Sequence, residues 1–564
     1  LPVQHLARAG HTGKGAQHQR LVDRVEGHAA CAADGLVERA RRTQHQRQGL
    51  DARRQPGGVA RQAGPGFGSQ ALAQQAGLVA DGFRHGLARE AAYTLLTDSD
   101  LTTGHRLAAE FLEAAGESSP AVIAEHFERG GVKSRAANYY LRAAEDSLER
   151  GEYLGVQRYA ARGLDCAPAE AVAGQLNAAF CYAGCILVRY VHLEERATLA
   201  MNQLSAGSLG WCRAIFAAII AANYAAETHQ DPSRSQELLS LLLRTEPEPN
   251  ARGSYLEAVG HVCAIMAVFA PESLLRTIGG RIAAVVEESQ RTSPALCRYL
   301  HRYNATMAYF RDPRPWSHIV EDSQTIRLAE EVGDSRMALE FRIYIEVAWL
   351  QVGDRDGAHQ RLLALEQEIT TALYLATWRY YLADNLCESM DHSAWEQAAQ
   401  LGLLLQANTR ETPIFAALGQ GILARVAFLR GSFAEAERLS RSALQFLQVV
   451  PLFLIRMVSI QTRALIALGR SAEAVTNVES VLAMIPPLGG AGSTEVELRL
   501  AASEAFQAAG HHERAQVELR ETLRQVQLRA DDITDAFWKS SYLTRNQYCV
   551  RTLQLAKEWD LAVA

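Results

Sequence analysis

The chain has 564 residues, a formal net charge of −6 at pH 7 and 48% apolar residues, among which Ala and Leu dominate. Phe, Trp and Tyr make up only 7%, so the composition favours helices packed on helices over a large sheet. The mildly acidic balance excludes a nonspecific duplex-binding protein, because such binding depends on a basic surface that neutralises phosphates.

Residues 1–80 differ in composition from the rest of the chain. They hold eleven Lys and Arg against five Asp and Glu, are rich in Gln, His and Gly, and have Phe67 as their only aromatic residue. A low-complexity segment of this kind cannot bury enough apolar surface to fold alone. Two interpretations stay open: a disordered basic tail, or a non-native segment translated outside the natural reading frame.

A helical joining segment is predicted over residues 81–135, whose apolar residues recur at helical spacing. It includes the runs FRHGLAREAAYTLLTDSD, GHRLAAEFLEAAGE and AVIAEHFERGG, and AANYYLRAAEDSLERGEY follows it. These runs resemble the segment that joins the nucleotide-binding core to the helical repeats in bacterial STAND-type signal-transduction ATPases. The resemblance is strongest to proteins that fuse a serine/threonine protein kinase domain, such an ATPase module and C-terminal repeats. It extends to the closing run YLTRNQYCVRTLQLAKEW.

The resemblance implies that intact relatives carry kinase and ATPase modules in cis with their repeats. The motifs of those modules are a Gly-rich loop, a strand Lys, an HRD loop, a DFG magnesium site and the Walker motifs, and this sequence contains none of them. We therefore predict that the chain is not an enzyme and uses no cofactor. The alternative is a serine/threonine kinase or ATP-binding regulator by family inheritance, with its catalytic modules missing from this chain.

The sequence between Ile422 and Pro451 carries the complete pattern of one helical hairpin. Ala424 is small enough for two helix backbones to approach, Gly431 relaxes the backbone at the turn, and Ala436 and Ala443 recur along the second helix. This spacing of small, Gly and Ala positions resembles a tetratricopeptide repeat. It predicts two amphipathic helices that meet at Gly431.

The same turn recurs along the chain at intervals of roughly 40 residues, longer than the usual ~34 of tetratricopeptide repeats. A hairpin cannot bury its apolar face alone, so stacked copies are expected to share one core. We predict an all-α, tetratricopeptide-like solenoid with a right-handed superhelix, elongated over residues 136–530, and C-terminal capping helices at residues 531–564. The predicted turns lie at Gly151, Val191, Asp231, Pro271, Asp312, Gly353, Asp391, Gly431, Gly469 and Gly510.

The segment from Pro486 to Ser493 has the sequence PPLGGAGS and is the longest Pro- and Gly-rich connector in the predicted array. Such a composition favours backbone freedom. We predict a flexible joint here, which limited proteolysis would cut first.

The cysteines and histidines give no metal site. Cys181 and Cys185 share a helix face at i, i+4, but no His or Cys partner at matching spacing accompanies them, and small apolar core residues are the better interpretation. His126 and His511 lack the HExxH spacing. The nine cysteines contain no CxxC pair, which suits a reducing compartment. With no membrane-spanning segment in the sequence, we predict a cytoplasmic protein that binds neither membrane nor nucleic acid.

The first helix of each hairpin is expected to line a concave groove that takes a protein or peptide ligand. Aromatic and Arg side chains anchor peptides, because they combine rigid apolar area with forked donors for carboxylates. Filling of the interhelical core is the preferred interpretation for any single residue, whereas the set is the best candidate for a binding face. The predicted partner-binding residues are Tyr299, Arg302, Trp378, Tyr381, Arg425, Phe428, Arg456 and Arg463.

These observations lead to one functional prediction and two alternatives. The prediction is a non-catalytic protein-protein interaction scaffold, the repeat (sensor or docking) region of a bacterial signal-transduction regulator. The first alternative is the inherited kinase or ATP-binding activity, and the second is an independent adaptor that acts without further modules. Reversing the charges of Arg425, Arg456 and Arg463 is expected to abolish partner capture without unfolding the chain.

Overall fold

A computed structural model describes residues 96–561, apart from 188, 191, 230–232, 269, 313, 370, 408–412 and 448–450. Every regular element in this part of the chain is helical, with 25 α-helices and four short 3-10 helices. The prediction of an all-α, tetratricopeptide-like hairpin fold is confirmed. The predictions for residues 1–80 lie outside the described residues.

The helices after the first two pair into ten hairpins, which we number 1 to 10. Two helices precede them, α1 (Asp98–Ala114) and α2 (Pro120–Arg129). The first five hairpins are α3 (Lys133–Glu149) with α4 (Tyr153–Asp165), α5 (Glu170–Ile186) with α6 (Leu193–Gln203), α7 (Leu209–His229) with α8 (Ser233–Arg244), α9 (Arg252–Met266) with α10 (Glu272–Ser289), and α11 (Arg298–Phe310) with α12 (Pro315–Glu331).

The remaining hairpins follow at similar intervals, and a short helix precedes the tenth. They are α13 (Ser335–Gln351) with α14 (Arg355–Leu365), α15 (Ala372–Cys387) with α16 (His392–Gln406), α17 (Pro413–Leu429) with α18 (Phe433–Leu447), α19 (Pro451–Ala467) with α20 (Ser471–Leu482), then α21 (Ile485–Leu488), and α22 (Glu495–Ala508) with α23 (His512–Asp532). Two helices end the described chain, α24 (Ala536–Arg545) and α25 (Gln547–Glu558).

The predicted turns fall between the two helices of each hairpin. Val191 and Asp231 themselves lie outside the described residues, but helices flank both positions. At Gly431 the backbone has φ +76°, its amide donates to the Phe428 carbonyl at 2.9 Å, and the Ser432 amide donates to the Ala427 carbonyl at 2.8 Å. These paired bonds end α17 in a left-handed cap, which favours Gly because a β-carbon strains that conformation.

The structure divides into two compact units between Phe180 and Cys181. In the first unit, Phe127 and Tyr140 are fully buried in one apolar cluster with residues of α1, α2 and α3. Gly163 allows α4 to approach Leu176, whose methyl carbon would lie 2.9 Å from an added β-carbon. Small residues thus set the spacing of its helices.

In the second unit, residues 181–564, small side chains also mark the helix crossings. Ala424, Ala436 and Ala443 are fully buried, as the hairpin pattern predicts. The sequence analysis did not single out Gly402 of α16 and Gly419 of α17. A β-carbon on Gly419 would lie 2.6 Å from the Gly402 carbonyl oxygen, so both positions require Gly for this close approach.

The second unit returns on itself, so the prediction of an elongated array is corrected for these residues. The Asp532 carboxylate, at the end of hairpin 10, accepts from the Trp316 and Ser317 amides at 2.9 Å each, and from the Ser317 hydroxyl at 2.7 Å. It thereby satisfies the free amides that begin α12 in hairpin 5. The rotation between successive hairpins accumulates until hairpin 10 meets hairpin 5.

The segment predicted to be a flexible joint instead packs against hairpin 5 through its buried residues. Leu488 and Ala491 are buried, and β-carbons on Gly490 and Gly492 would lie 2.7 and 2.8 Å from carbonyl oxygens of hairpin 5. The Gly residues of this connector therefore serve close backbone packing. Their role corrects the interpretation that they provide freedom of motion.

One buried arginine fastens the connector. Arg311 is 4% exposed, and its guanidinium donates to the carbonyls of Ala267 at 2.8 Å, Ala270 at 2.8 Å and Leu488 at 2.6 Å. Burial lowers the pKa of Arg311 to about 10, so the group stays protonated at neutral pH. A single cation thus holds the turn of hairpin 4 and the connector before hairpin 10 together.

We predict that Arg311→Met lowers the free energy of unfolding by about 3 kcal/mol, because three buried carbonyls lose their donor. Urea unfolding followed by circular dichroism measures the change. Limited proteolysis should spare residues 486–493 in the unaltered chain and cut there in the variant.

Arg314→Met is the matched control, since Arg314 is exposed and pairs only with nearby Asp312 among the described residues. The loss of this ion pair should change the free energy of unfolding by less than about 0.5 kcal/mol. Early cleavage at 486–493 in the unaltered chain would contradict the packed connector.

Candidate binding site on the inner helices

The first helices of hairpins 6 to 10 and the terminal helix α25 surround two cavities. Cavity A has a volume of about 620 Å³, and its walls include Phe428, Arg463, Glu504 and Trp559. Cavity B has a volume of about 550 Å³ and lies between hairpins 6, 7, 9 and 10 and the junction of α24 with α25. Tyr548 of α25 belongs to the walls of both cavities.

A buried carboxylate links three hairpins beside cavity B. Asp384 of α15 is 3% exposed and accepts from Arg425 of α17 at 2.5 Å and from Arg456 of α19 at 2.6 Å. Burial alone would raise the pKa of Asp384, but the two guanidinium groups hold the pKa below its ordinary value. Arg425 also pairs with Glu388, and Arg456 Nε lies 3.7 Å from Glu497 Oε2. These residues connect the first helices of hairpins 7 to 10.

A second carboxylate organises cavity A. Glu504 of α22 lies 3.3 Å from Arg463 Nε and 3.1 Å from Arg551 Nε. The Arg463 guanidinium carbon also lies 5.4 Å from the centroid of the Tyr548 ring. Glu504 and Tyr548 therefore fix α25 against hairpins 9 and 10 by charge and by cation–π contact.

The terminal helices also contact hairpins 6 and 7. Asn546 donates to the Gln351 carbonyl at 3.0 Å, and Gln547 donates to the Glu388 carboxylate at 2.8 Å. A β-carbon on Gly353 would lie 2.4 Å from the Ser541 hydroxyl oxygen, which shows how closely α24 approaches the turn of hairpin 6. The terminal helices thus lie across the inner surface of hairpins 6 to 10.

The structure places most of the predicted partner-binding residues inside the helix packing. The Trp378 indole donates to the Leu362 carbonyl at 2.6 Å, and Arg302, 1% exposed, donates to both Glu340 carboxylate oxygens. The buried members are Tyr299, Arg302, Trp378, Tyr381 and Arg425. By contrast, Phe428 and Arg463 line cavity A, and Arg456 lines cavity B.

The structure brings only part of that set together. Arg425 and Arg456 meet at Asp384, and Phe428 and Arg463 meet at cavity A. Tyr299 and Arg302 lie on α11, where Arg302 contacts hairpins 4 and 6. The role of the predicted set in partner binding stays a prediction.

Sequence reasoning missed the carboxylates that hold these arginines. Asp384 lies on α15 and Glu388 follows four residues later at its C-cap, whereas Glu497 and Glu504 are seven apart on α22. The arginines of α19 have the same seven-residue spacing, so acidic and basic stripes face each other on successive first helices. That spacing was available in the sequence as a signal.

The titratable groups around the cavities are largely engaged in ion pairs. No group of three His, Cys, Asp or Glu side chains within the described residues is placed to hold a metal ion. Burial raises the pKa of the Cys181 and Cys212 thiols to about 12, so they stay protonated at neutral pH. No helix in the described part is long and apolar enough to cross a bilayer.

Comparison with known proteins gives likenesses among solved structures only. No family model and no curated protein matches the sequence. A Rap protein complexed with competence and sporulation factor is similar over 62% of this chain and 99% of its own, with 12% identity and a TM-score of 0.39. NprR in complex with its cognate peptide NprX is similar over 68% and 98%, with 9% identity and a TM-score of 0.32.

The TPR domain of P58(IPK) is also similar, over 75% of this chain and 99% of its own, with 10% identity and a TM-score of 0.22. At such TM-scores these likenesses carry no inference about ligands or partners.

These ion pairs contradict the expectation that reversing the charges of the predicted arginines would leave the fold intact. A Glu at position 425 would face Asp384 and Glu388, so the variant would lose packing as well as any partner. We predict that even Arg425→Met lowers the free energy of unfolding by about 3 kcal/mol, because it removes one partner of a buried ion pair. Urea unfolding measures the change.

Arg327→Met is the control, because Arg327 forms an exposed pair with Glu331 four residues later on α12. Its removal should change stability by less than about 0.5 kcal/mol. Equal effects of the two substitutions would show that the Asp384 network is not stabilising.

Proposed function

We propose that the chain is a non-catalytic protein-protein interaction scaffold that binds a peptide segment of a partner protein in cavity A. The observation that carries this proposal is the composition of the cavity. Phe428, Ile466 and Trp559 supply half-exposed apolar area beside the guanidinium groups of Arg463 and Arg551. Aromatic and Arg side chains around a concave site are the usual anchors of peptide recognition.

Cavity A is the better candidate of the two because its walls combine Phe428 and Trp559 with two arginines that share one carboxylate. The Arg551 side chain is 42% exposed and shares Glu504 with Arg463, so an incoming carboxylate can replace a shared partner at low cost. In cavity B, Arg456 has 17% of its side chain exposed and is fixed by Asp384. Exchange there would leave Asp384 buried with one partner fewer.

The expected ligand is therefore a segment with an apolar anchor followed closely by Asp or Glu. The anchor would lie between Phe428 and Trp559, and the carboxylate would reach Arg551. The cavity volume of about 620 Å³ accommodates one or two side chains of a peptide, and the remaining segment would extend over the inner surface.

The resemblance of residues 82–564 to STAND-type regulators supports a signalling context for this docking. In that context the chain is the sensor or docking region of a bacterial signal-transduction regulator, with kinase or ATPase modules supplied in cis in intact relatives. Binding would act by shifting the population between two arrangements of the regulator.

We predict that a random peptide library selected on the chain yields peptides that pair an apolar residue with Asp or Glu. Phe428→Ala and Arg551→Ala should each weaken the binding of those peptides about tenfold, because each removes one anchor. Isothermal titration calorimetry measures the affinities.

Phe446→Ala and Arg441→Ala are matched controls on the second helix α18, where both side chains are largely exposed away from cavity A. They should leave the affinities unchanged. If the controls lose binding as the cavity variants do, or if neither group loses binding, cavity A is not the docking site.

We also predict that the purified chain neither hydrolyses radiolabelled ATP nor transfers its terminal phosphoryl group to a protein substrate. The physical reason is that the sequence lacks the loop and lysine that hold the phosphates and the carboxylate that holds magnesium. Turnover above that of a heat-denatured sample would instead support the inherited kinase or ATPase alternative.

A further inference from the structure

A third cavity lies within the second unit, apart from cavities A and B. This apolar cavity has a volume of about 290 Å³, close to the lower end of the range of ligand pockets. One wall comes from α7 and α9 and includes Phe216 and Ile265, whereas the opposite wall comes from α13, α15 and α19 and includes Tyr344, Tyr374 and Phe453. Aromatic residues thus line the cavity on both sides.

A histidine places a ring nitrogen without a partner at the cavity wall. His261 Nδ1 lies 2.9 Å from the Glu257 carbonyl oxygen and 3.3 Å from Arg302 Nη1, so this nitrogen is already engaged. Burial, together with Arg302, lowers the pKa of His261 well below its ordinary value, so the ring is neutral. Nε2 is the remaining polar atom of the ring, and no described residue bonds to it.

An asparagine supplies a donor on the neighbouring helix. Asn223 of α7 lines the same cavity, and its Nδ2 is buried without a hydrogen-bond partner among the described residues. A buried amide donor left unpaired costs roughly 1–3 kcal/mol. Two adjacent helices therefore present one unused imidazole nitrogen and one unused amide donor to an otherwise apolar space.

The charges at the wall are internally balanced. Glu340 lines the cavity, but both of its carboxylate oxygens accept from Arg302 Nη2, at 3.1 and 3.2 Å. A charged ligand would lose its hydration here without finding a free counter-charge. An uncharged molecule would lose little hydration free energy when it enters the cavity.

We propose that this cavity binds a small, uncharged, ring-containing molecule that carries a hydroxyl or amide group. The ring system lies between Phe216 and the tyrosines of the opposite wall, and the polar group bonds to His261 Nε2 and Asn223 Nδ2. The site goes beyond the docking of a peptide in cavity A, and it shares no wall residue with that cavity.

Three probes with one ring skeleton test the site: 2-naphthol, naphthalene and 2-naphthalenesulfonate. Fluorescence titration of the full chain should give one site, with 2-naphthol bound about tenfold tighter than naphthalene and the sulfonate weakest. His261→Leu should abolish the advantage of 2-naphthol over naphthalene while leaving naphthalene binding unchanged, because it removes the hydrogen bond at Nε2 and keeps an apolar side chain. An unchanged preference in this variant, or a sulfonate bound as tightly as 2-naphthol, would overturn the proposal.

Ala264→Trp provides a second test by filling the cavity, and Leu403→Trp on the exposed face of α16 is its control. The first should abolish binding of all three probes, and the second should leave all affinities unchanged. Equal binding to both variants would overturn the proposal. If Ala264→Trp fails to melt cooperatively, the His261→Leu comparison decides alone. No binding of any probe to the unaltered chain near its solubility limit would also overturn it.

Discussion

The hydrogen bonds of one buried cation determine how the second unit is arranged. Arg311 binds carbonyls in the turn of hairpin 4 and at Leu488, so the connector before hairpin 10 is held against hairpins 4 and 5. That contact positions hairpin 10, and Asp532 then meets the first turn of α12. Cavity B lies between hairpin 6 and hairpin 10, so its existence depends on this return of the chain. Long-range polar contacts therefore shape a surface that local helix packing alone would leave open.

The hairpins could be predicted from the sequence because their determinants are local. Gly431 ends a helix through its own positive φ, and Ala436 packs against a neighbour close in sequence. The return of the chain could not be predicted, since Arg311 and Leu488 are 177 residues apart. Composition was also misleading at the connector. Gly490 and Gly492 suggested mobility, although their role is to let the backbone touch carbonyl oxygens of hairpin 5.

The residue types on the first helices could be predicted from the sequence, but the partners of those residues could not. Helical spacing placed Arg425 and Arg456 on first helices, and the structure confirms those helices. It does not follow from spacing whether such a side chain meets a ligand or a carboxylate of the next helix, and Asp384 engages both arginines. Trp378 shows the same ambiguity for aromatic residues, because its indole bonds to a backbone carbonyl within the helix packing. The helix register decides whether such a side chain meets a ligand or the next helix, and a sequence fixes that register only to within a residue or two.

The position of Tyr548 gives the terminal helix α25 a second role besides capping the last hairpin. Its ring is a common boundary of cavities A and B, stacked on the guanidinium of Arg463. Neither space can widen or narrow at that boundary without altering its neighbour. A ligand that moved this ring on entering one cavity would therefore change the shape of the other.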